Sequence, residues 1–305
     1  MGLGDFLKRL FGGAALGVDE LARRVGVPEE NLRNADLSYR TFTIPKRAGG
    51  SRTISVPNPS LKSLQRRILR RLLARLKCHP AAQGFERGRS IVTNARPHVG
   101  KAVVVRMDIR DFFTSTGAKR VEKYFRRIGW NKDAARLLVR LLALDGGLPQ
   151  GAPTSPRLSN LVNRRLDARL AGLAASFCAR RPSEAPSSAA YTRYADDLTF
   201  SFDKDDPPEI RRLIHSADVI AKDEGYALHH RRKLSIRRRH ASQRVTGLVV
   251  NDRVNLPRAT RRWLRAVEHH LATGRKATLS PAQLKGWQAF ASMVEAEREK
   301  PAGGQ

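Results

Sequence analysis

Tyr191-Thr-Arg-Tyr-Ala-Asp-Asp-Leu-Thr-Phe-Ser-Phe202 sets two adjacent carboxylates, Asp196 and Asp197, between aromatic residues on one side and alternating Leu198, Phe200 and Phe202 on the other. Alternation of apolar and polar residues reads as a strand, a tight turn carrying the acids, and a second strand. Side chains along a strand point to opposite faces, so neighbouring acids reach one centre only from a turn. Alone, an Asp-Asp pair is most simply a solvated hairpin tip. In a chain this basic, paired acids point to hard divalent cations and phosphate chemistry.

The basicity is the strongest global signal. The 305 residues carry a formal charge of +30 with a pI near 11.4, and Arg outnumbers Lys by 44 to 14. Arg forks match phosphate oxygens and keep their charge when partly buried, so the excess points to a polyanion, nucleic acid first. An apolar share of 41% and a mean hydropathy of −0.45 describe a soluble protein with a real core. No run of 18 apolar residues offers a membrane span, and Phe6–Phe11 is too short and interrupted for a signal peptide. Cys78 and Cys178 are isolated, which excludes a disulfide framework and makes a reducing cytoplasm the expected compartment.

Outward from the acid hairpin, residues 18–34 read as two short helices around Gly26. Tyr39–Val56 reads as a hairpin turning at Gly49-Gly50, with Lys46, Arg47 and Arg52 near its tip. Residues 61–77 form an amphipathic helix: Leu61, Leu64, Ile68 and Leu72 on one side, Arg66, Arg67, Arg70, Arg71 and Arg75 largely on the other. Such a basic face is ordinarily solvated, but here the balancing acids are missing, which favours phosphate contact. Lys101–Asp108 is a strand ending in an acid. Helices are expected at about 117–128 and 132–143, then a Gly/Pro-rich loop, Asp145–Pro156, and one helix running towards 177. Residues 181–189 read as a surface insert, Pro207-Pro208 opens a helix, and His229–His240 is a dense basic region. There His229 and His230 have no flanking carboxylate and read as surface or nucleic-acid contacts. Arg244–Asn251 reads as a strand, followed by helices at about 258–272 and 281–299, the second capped by Ser280.

Taken in order, the acids are Asp108 at a strand end and Asp196-Asp197 at a hairpin tip, acids from separate strands, as two metal ions about 3.5–4 Å apart require. At this point the sequence resembles a reverse transcriptase. Met107-Asp-Ile-Arg-Asp-Phe-Phe113, Leu148–Asn160 and Tyr194-Ala-Asp-Asp197 are similar to the first three palm motifs. Lys233 and Val245-Thr-Gly247 fit the next two, and Ile44-Pro-Lys46 with Gly49–Arg52 fits the fingers. Within that superfamily it looks most like a retron enzyme: Gln150–Pro156 has the retron spelling, and Asn94-Ala-Arg-Pro-His98 and Val245-Thr-Gly247 match two retron elements. Diversity-generating enzymes end the second motif differently. A sister enzyme of the group II or abortive-infection type is the neighbouring reading. A silent RNA-binding scaffold is disfavoured, since a pure binder has no use for clustered acids.

The resemblance implies an α+β right-hand polymerase: a helical extension over 1–38, fingers over 39–107, palm over 108–255 with an antiparallel sheet, and a small helical thumb over 256–305. It implies that Asp108, Asp196 and Asp197 are catalytic and hold two Mg2+ ions. It implies nucleotide binding by Lys46, Arg52, Asp111, Phe113, Gln150, Gly151 and Lys233, with Phe113 excluding a 2′-OH and Lys233 protonating pyrophosphate. RNA contacts are expected at Asn94, His98, Arg66, Arg70, Arg71 and Thr246. The implied partners are dNTPs, a structured noncoding RNA that is both template and primer, its RNA–DNA product, and a separate effector protein in anti-phage defence.

Overall fold

The computed structural model describes residues 15–46, 49–179, 188–229 and 233–299. The expectations for Phe6–Phe11, Arg47, the insert over 181–187, and His230, Arg231 and Arg232 lie outside the described residues. In chain order come helices α1 (Val18–Val25) and α2 (Glu29–Arg33), strands β1 (Tyr39–Pro45) and β2 (Ser51–Pro57), and helix α3 (Pro59–Arg71). Helix α4 (Ile91–Ala95), strand β3 (Val103–Asp108) and helices α5 (Phe112–Ser115), α6 (Ala118–Arg127) and α7 (Lys132–Leu142) follow. Then come α8 (Ser155–Val162), α9 (Arg164–Ala179), β4 (Ala189–Tyr194), β5 (Asp197–Phe202) and α10 (Pro207–Asp223). Strands β6 (Ser235–Arg238), β7 (Arg244–Val245) and β8 (Leu248–Val249) precede helices α11 (Arg258–Ala272) and α12 (Pro281–Glu299). The mixture of helices with antiparallel strands is the expected α+β class. The described residues fall into two compact units, one drawn from those within the spans Met1–Pro80, Ile109–Ala168 and Ala221–Ala227, the other from those within Ala81–Asp108, Arg169–Ile220 and Leu228–Gln305.

The first unit is a helical cluster bearing a two-stranded ribbon. Leu21, Val25, Leu61, Ile68, Phe125, Leu138 and Leu141 meet in its core. Gly49 and Gly50, at φ 86 and 82, lie between β1 and β2, a backbone turn that side-chain-bearing residues resist. Helix α3 starts where Asn58 accepts the Leu61 N–H at 2.8 Å and Pro59 needs no partner. Its buried Gln65 donates to the Tyr39 hydroxyl at 2.9 Å and the Leu141 carbonyl at 2.8 Å, joining β1, α3 and α7. The single helix expected after Pro156 is instead two, α8 and α9, broken at Asn163. The buried Asn163 amide turns inward, donating to the Ser159 carbonyl and the Tyr226 hydroxyl and accepting from Arg120 at 2.5 Å.

The second unit holds a four-stranded antiparallel sheet in the order β4-β5-β3-β6. Period-two alternation puts Val104, Arg106 and Asp108 on one face with Asp197, Thr199 and Ser201, and Val105, Met107, Leu198 and Phe200 on the other. Val104 packs with Val92, Ala95, Val245, Leu248, Val250 and Val294 beneath the first face. Arg244–Asn251, expected as one strand, is a tight hairpin: β7 and β8 are joined through Thr246 at φ 47 and Gly247 at φ 85. Two positive φ values in a two-residue turn match the right-handed strand twist. Helix α12 begins with a reciprocal cap, Ser280 Oγ accepting the Gln283 N–H and Gln283 Oε1 accepting the Ser280 N–H.

Candidate active site

Strand β3 delivers Asp108 to the sheet edge opposite Asp197. The β4–β5 connection is the two-residue turn Ala195-Asp196, with Ala195 at φ 55. Asp196 therefore leaves the strand alternation and comes within hydrogen-bonding reach of Asp108. Asp108 is 6% exposed. Burial raises its carboxyl above the ordinary range, against the pull of Lys233, whose Nζ lies 2.7 and 2.8 Å from the two carboxylate oxygens. Burial, then the charges of Asp108 and Asp197, push Asp196 up to about 6. Asp197 faces a different partner: one Arg106 guanidinium nitrogen donates to both its oxygens at 3.0 and 3.1 Å.

The structure thus brings Asp108 and Asp196 together and draws Asp197 onto Arg106. Among the described residues no three His, Cys, Asp or Glu side chains stand as a ready cation cage. Asp108 and Asp196 nevertheless have the chemistry a divalent cation needs: hard oxygen donors whose repulsion is only partly balanced by Lys233. His229, expected without a carboxylate partner, has Nε2 3.7 Å from Asp108 Oδ1, and its N–H donates to the Asp108 carbonyl at 2.9 Å. The contact follows from chain return and not from sequence neighbours, so flanking residues gave no sign of it.

The other nucleotide-binding candidates lie in the first unit. Lys46 and Arg52 are exposed near the tip of the β1–β2 ribbon, with the Lys46 N–H donating to the Gly50 carbonyl at 2.9 Å. Asp111, at φ 45, opens α5, where Phe113 is half-buried and 5.4 Å from the Phe112 ring. The Gln150 carbonyl accepts the Ser55 N–H at 2.8 Å, tying the loop before α8 to β2. Gly151 is held so close that a Cβ would lie 2.6 Å from the Ser55 carbonyl oxygen, so only glycine fits.

The RNA-binding candidates divide. Arg66, Arg70 and Arg71 are exposed on α3, while Arg67 is spent on the Gly26 carbonyl at the end of α1, at 2.5 Å. Asn94 and His98 are 1% and 0% exposed, which corrects the expectation that their side chains present themselves to RNA. His98 Nδ1 is 2.7 Å from Ser201 Oγ and Nε2 is 2.8 Å from Thr192 Oγ1, so it bridges β5 and β4. Burial lowers its pKa to about 3, which keeps the imidazole neutral. Asn94 Nδ2 lies 3.4 Å from the half-buried Thr246 hydroxyl, which donates to the Ile91 carbonyl at 3.1 Å. The basic region after His229 is partly matched by acids of the chain: Lys233 by Asp108, Arg238 by Asp205 and Arg239 by Asp252. Arg106 was overlooked in the sequence. Its signal was a lone cation two residues before Asp108 in an apolar strand, on the same face.

Residues 44–247 match the family described as reverse transcriptase (RNA-dependent DNA polymerase). The chain is 39% identical to the Retron Mx65 reverse transcriptase of Myxococcus xanthus, over 95% of this chain and 70% of that one. It is 37% identical to the Retron Mx162 reverse transcriptase of the same organism, over 91% of this chain and 64% of that one. It is 32% identical to the Retron Ec86 reverse transcriptase of Escherichia coli, over 92% and 85%. Among solved structures, telomerase from Candida albicans aligns at a TM-score of 0.48 and 12% identity, covering 83% of this chain and 50% of that one. With a family match over two thirds of its length and relatives of this identity, the chain belongs to the reverse transcriptases, RNA-directed DNA polymerases of right-hand fold, and within them to the retron type.

Proposed function

We propose that this chain copies a cognate structured noncoding RNA, acting as both primer and template, into branched single-stranded DNA. The observation that carries the reading is the approach of Asp108 to Asp196, acids from separate strands, in a chain of charge +30. Asp108 and Asp196 would hold two Mg2+ ions, joined by Asp197 when its carboxylate leaves Arg106. Bound Mg2+ supplies charge neutralisation at the phosphates and a lowered pKa for the attacking hydroxyl. Lys46 and Arg52 grip the dNTP triphosphate. Asp111, Gln150 and Gly151 line the nucleotide pocket, and Phe113 stands against a ribose 2′-OH. Lys233, whose ammonium donates to Asp108, would give a proton to departing pyrophosphate. Arg66, Arg70 and Arg71 take RNA phosphates, while Asn94, His98 and Thr246 act from beneath by holding the palm elements that meet the cognate RNA.

In this reading residues 1–38 are a helical extension, 39–107 fingers, 108–255 palm and 256–305 thumb. No helix among the described residues is long and apolar enough to cross a membrane. We place the enzyme in the cytoplasm, in anti-phage defence beside a separate effector protein, on the strength of its retron relatives. The test is sequencing of the nucleic acid that copurifies with the protein. A single structured RNA joined through a 2′-linkage to DNA, absent from an Asp196→Asn preparation, is the expected result. A mixture of cellular RNAs without RNA-linked DNA overturns the retron substrate while leaving polymerase activity to a primer-extension assay.

A further inference from the structure

Beside the acid-bearing turn the second unit displays an aromatic ring for which the mechanism above has no use. Residues Ala81–Gln83 run along β4: the Arg193 N–H donates to the Ala81 carbonyl and the Gln83 N–H to the Arg193 carbonyl, both at 2.8 Å. The next residue, Gly84, is pressed onto the turn itself. A Cβ there would lie 3.1 Å from the Ala195 nitrogen and 3.2 Å from Tyr194 Cδ1. Phe85 follows at φ 62, a left-handed conformation that a bulky side chain resists. The residue is 47% exposed, more than Phe42, Ile44, Val219 or Ile236, and its ring centroid lies 6.0 Å from that of Tyr194. Arg89 fixes the segment by donating to the Ala82 carbonyl at 2.6 Å, and Arg87 is exposed two residues beyond Phe85.

A strained backbone thus holds a large, half-exposed aromatic side chain one residue from a close contact with the turn carrying Asp196. We propose that Phe85 is a stacking platform for a nucleobase of the bound primer–template, next to the nucleotide being extended, with Arg87 taking an adjacent phosphate. A base offers a π-face of any sequence, and Arg supplies the counter-charge. The proposal rests on the polymerase reading, which gives the site a nucleic acid to bind.

The test compares wild type with Phe85→Ala, Phe85→Leu, Phe85→Trp and Phe85→Gly on one annealed RNA template and DNA primer, with 2-aminopurine in either strand near the primer end. Phe85→Ala and Phe85→Leu should weaken binding by about 5- to 150-fold, the range for one lost base stack, and remove 2-aminopurine quenching in the strand that stacks. Phe85→Trp should bind like wild type and lose indole fluorescence on binding. Phe85→Gly should melt higher, since glycine accepts the positive φ, yet bind as poorly as Phe85→Ala. Unchanged affinity in Phe85→Ala, or full rescue by Phe85→Leu, overturns the platform, the latter leaving the side chain a general apolar contact that needs no ring. Wild-type extension in the same tubes separates the two readings: its absence refutes the polymerase reading, whereas its presence with unaltered Phe85→Ala binding refutes only the platform.

Discussion

Arg106 and Asp197 form an ion pair across two strands of the sheet, one guanidinium nitrogen reaching both carboxylate oxygens at 3.0 and 3.1 Å. Strand β3 places Arg106 on the same face as Asp108, so one strand supplies both an acid and the cation that neutralises a neighbouring acid. The metal-free protein thereby avoids three unbalanced carboxylates at one sheet edge. Arg106→Met should lower the stability of the metal-free protein by roughly 1–2 kcal/mol, a discounted figure for a pair about 30% exposed. Added Mg2+ should restore much of the loss. Thermal melts with and without Mg2+ measure this, and an equal deficit in both would mean that Arg106 serves packing alone.

Asp196 gives the opposite sign. Its folded pKa, about 6, lies above the ordinary aspartate value of 3.8, so its charge destabilises the metal-free fold above pH 6. The penalty fades as pH falls through 6 towards 4, because the folded state takes up the proton first. Asp196→Asn should therefore stabilise the metal-free protein at pH 7–8 by on the order of 1–2 kcal/mol, and the gain should vanish near pH 4. The same change should lower DNA synthesis by several orders of magnitude. Melting curves across pH, beside dNTP incorporation, check both, and near-normal incorporation would remove Asp196 from the chemistry.

The fold was legible wherever local chemistry decided it. The alternation in 191–202, the Gly49-Gly50 turn, the Ser280 cap and the leucine stripe of α3 each specify their element without help from the rest of the chain. What escaped depended on distant partners. Asn163 breaks a helix because Tyr226 and Arg120 meet it, and Thr246 sits in a turn because Ile91 and Asn94 engage its hydroxyl. The site was half legible on the same terms. Strand periodicity and a turn suffice to align Asp108 with the hairpin, but nothing local announces that Asp197 is held by Arg106, that His229 returns to Asp108, or that Asn94 and His98 are interior.

Phe113 tests sugar selection. It is half-buried on α5, and its carbonyl accepts the Leu148 N–H at 3.1 Å, which ties its backbone to the loop before α8. Phe113→Val should admit ribonucleotides while retaining measurable DNA synthesis. Competition between dNTP and rNTP is the readout, and unaltered discrimination would assign the gate to another residue.

The exposed Arg66 and Arg70 on α3 have no carboxylate partner among the described residues, whereas Arg67 holds the Gly26 carbonyl. Replacing Arg66 and Arg70 by Ala should flatten the salt dependence of RNA affinity by roughly one unit of slope per lost phosphate contact. Arg67→Ala should act on stability, through the end of α1, more than on that slope. An unchanged slope in the double variant would return the two residues to a solvated surface.

His98 carries the last prediction, because its burial moves it from RNA contact to support of the acid hairpin. The ring accepts from one hydroxyl and donates to the other, Thr192 on β4 and Ser201 on β5, the two strands that hold the Ala195-Asp196 turn. His98→Ala leaves both hydroxyls buried without that partner, which should destabilise the protein by about 2–4 kcal/mol. It should also slow synthesis on the cognate RNA and on a generic primer–template together. The pH dependence identifies the cause. The folded pKa of about 3 lies below the ordinary imidazole value of 6.5, so the neutral ring contributes fully above pH 6.5 and its contribution falls as acid protonates the unfolded chain first. Against His98→Gln, which does not titrate, the wild-type stability advantage should shrink by about 1.4 kcal/mol per pH unit below 6.5. Denaturant titrations of both proteins between pH 7 and pH 5 measure that slope. A flat difference would show that His98 is charged or exposed in solution, and loss on the cognate RNA alone would return it to direct recognition.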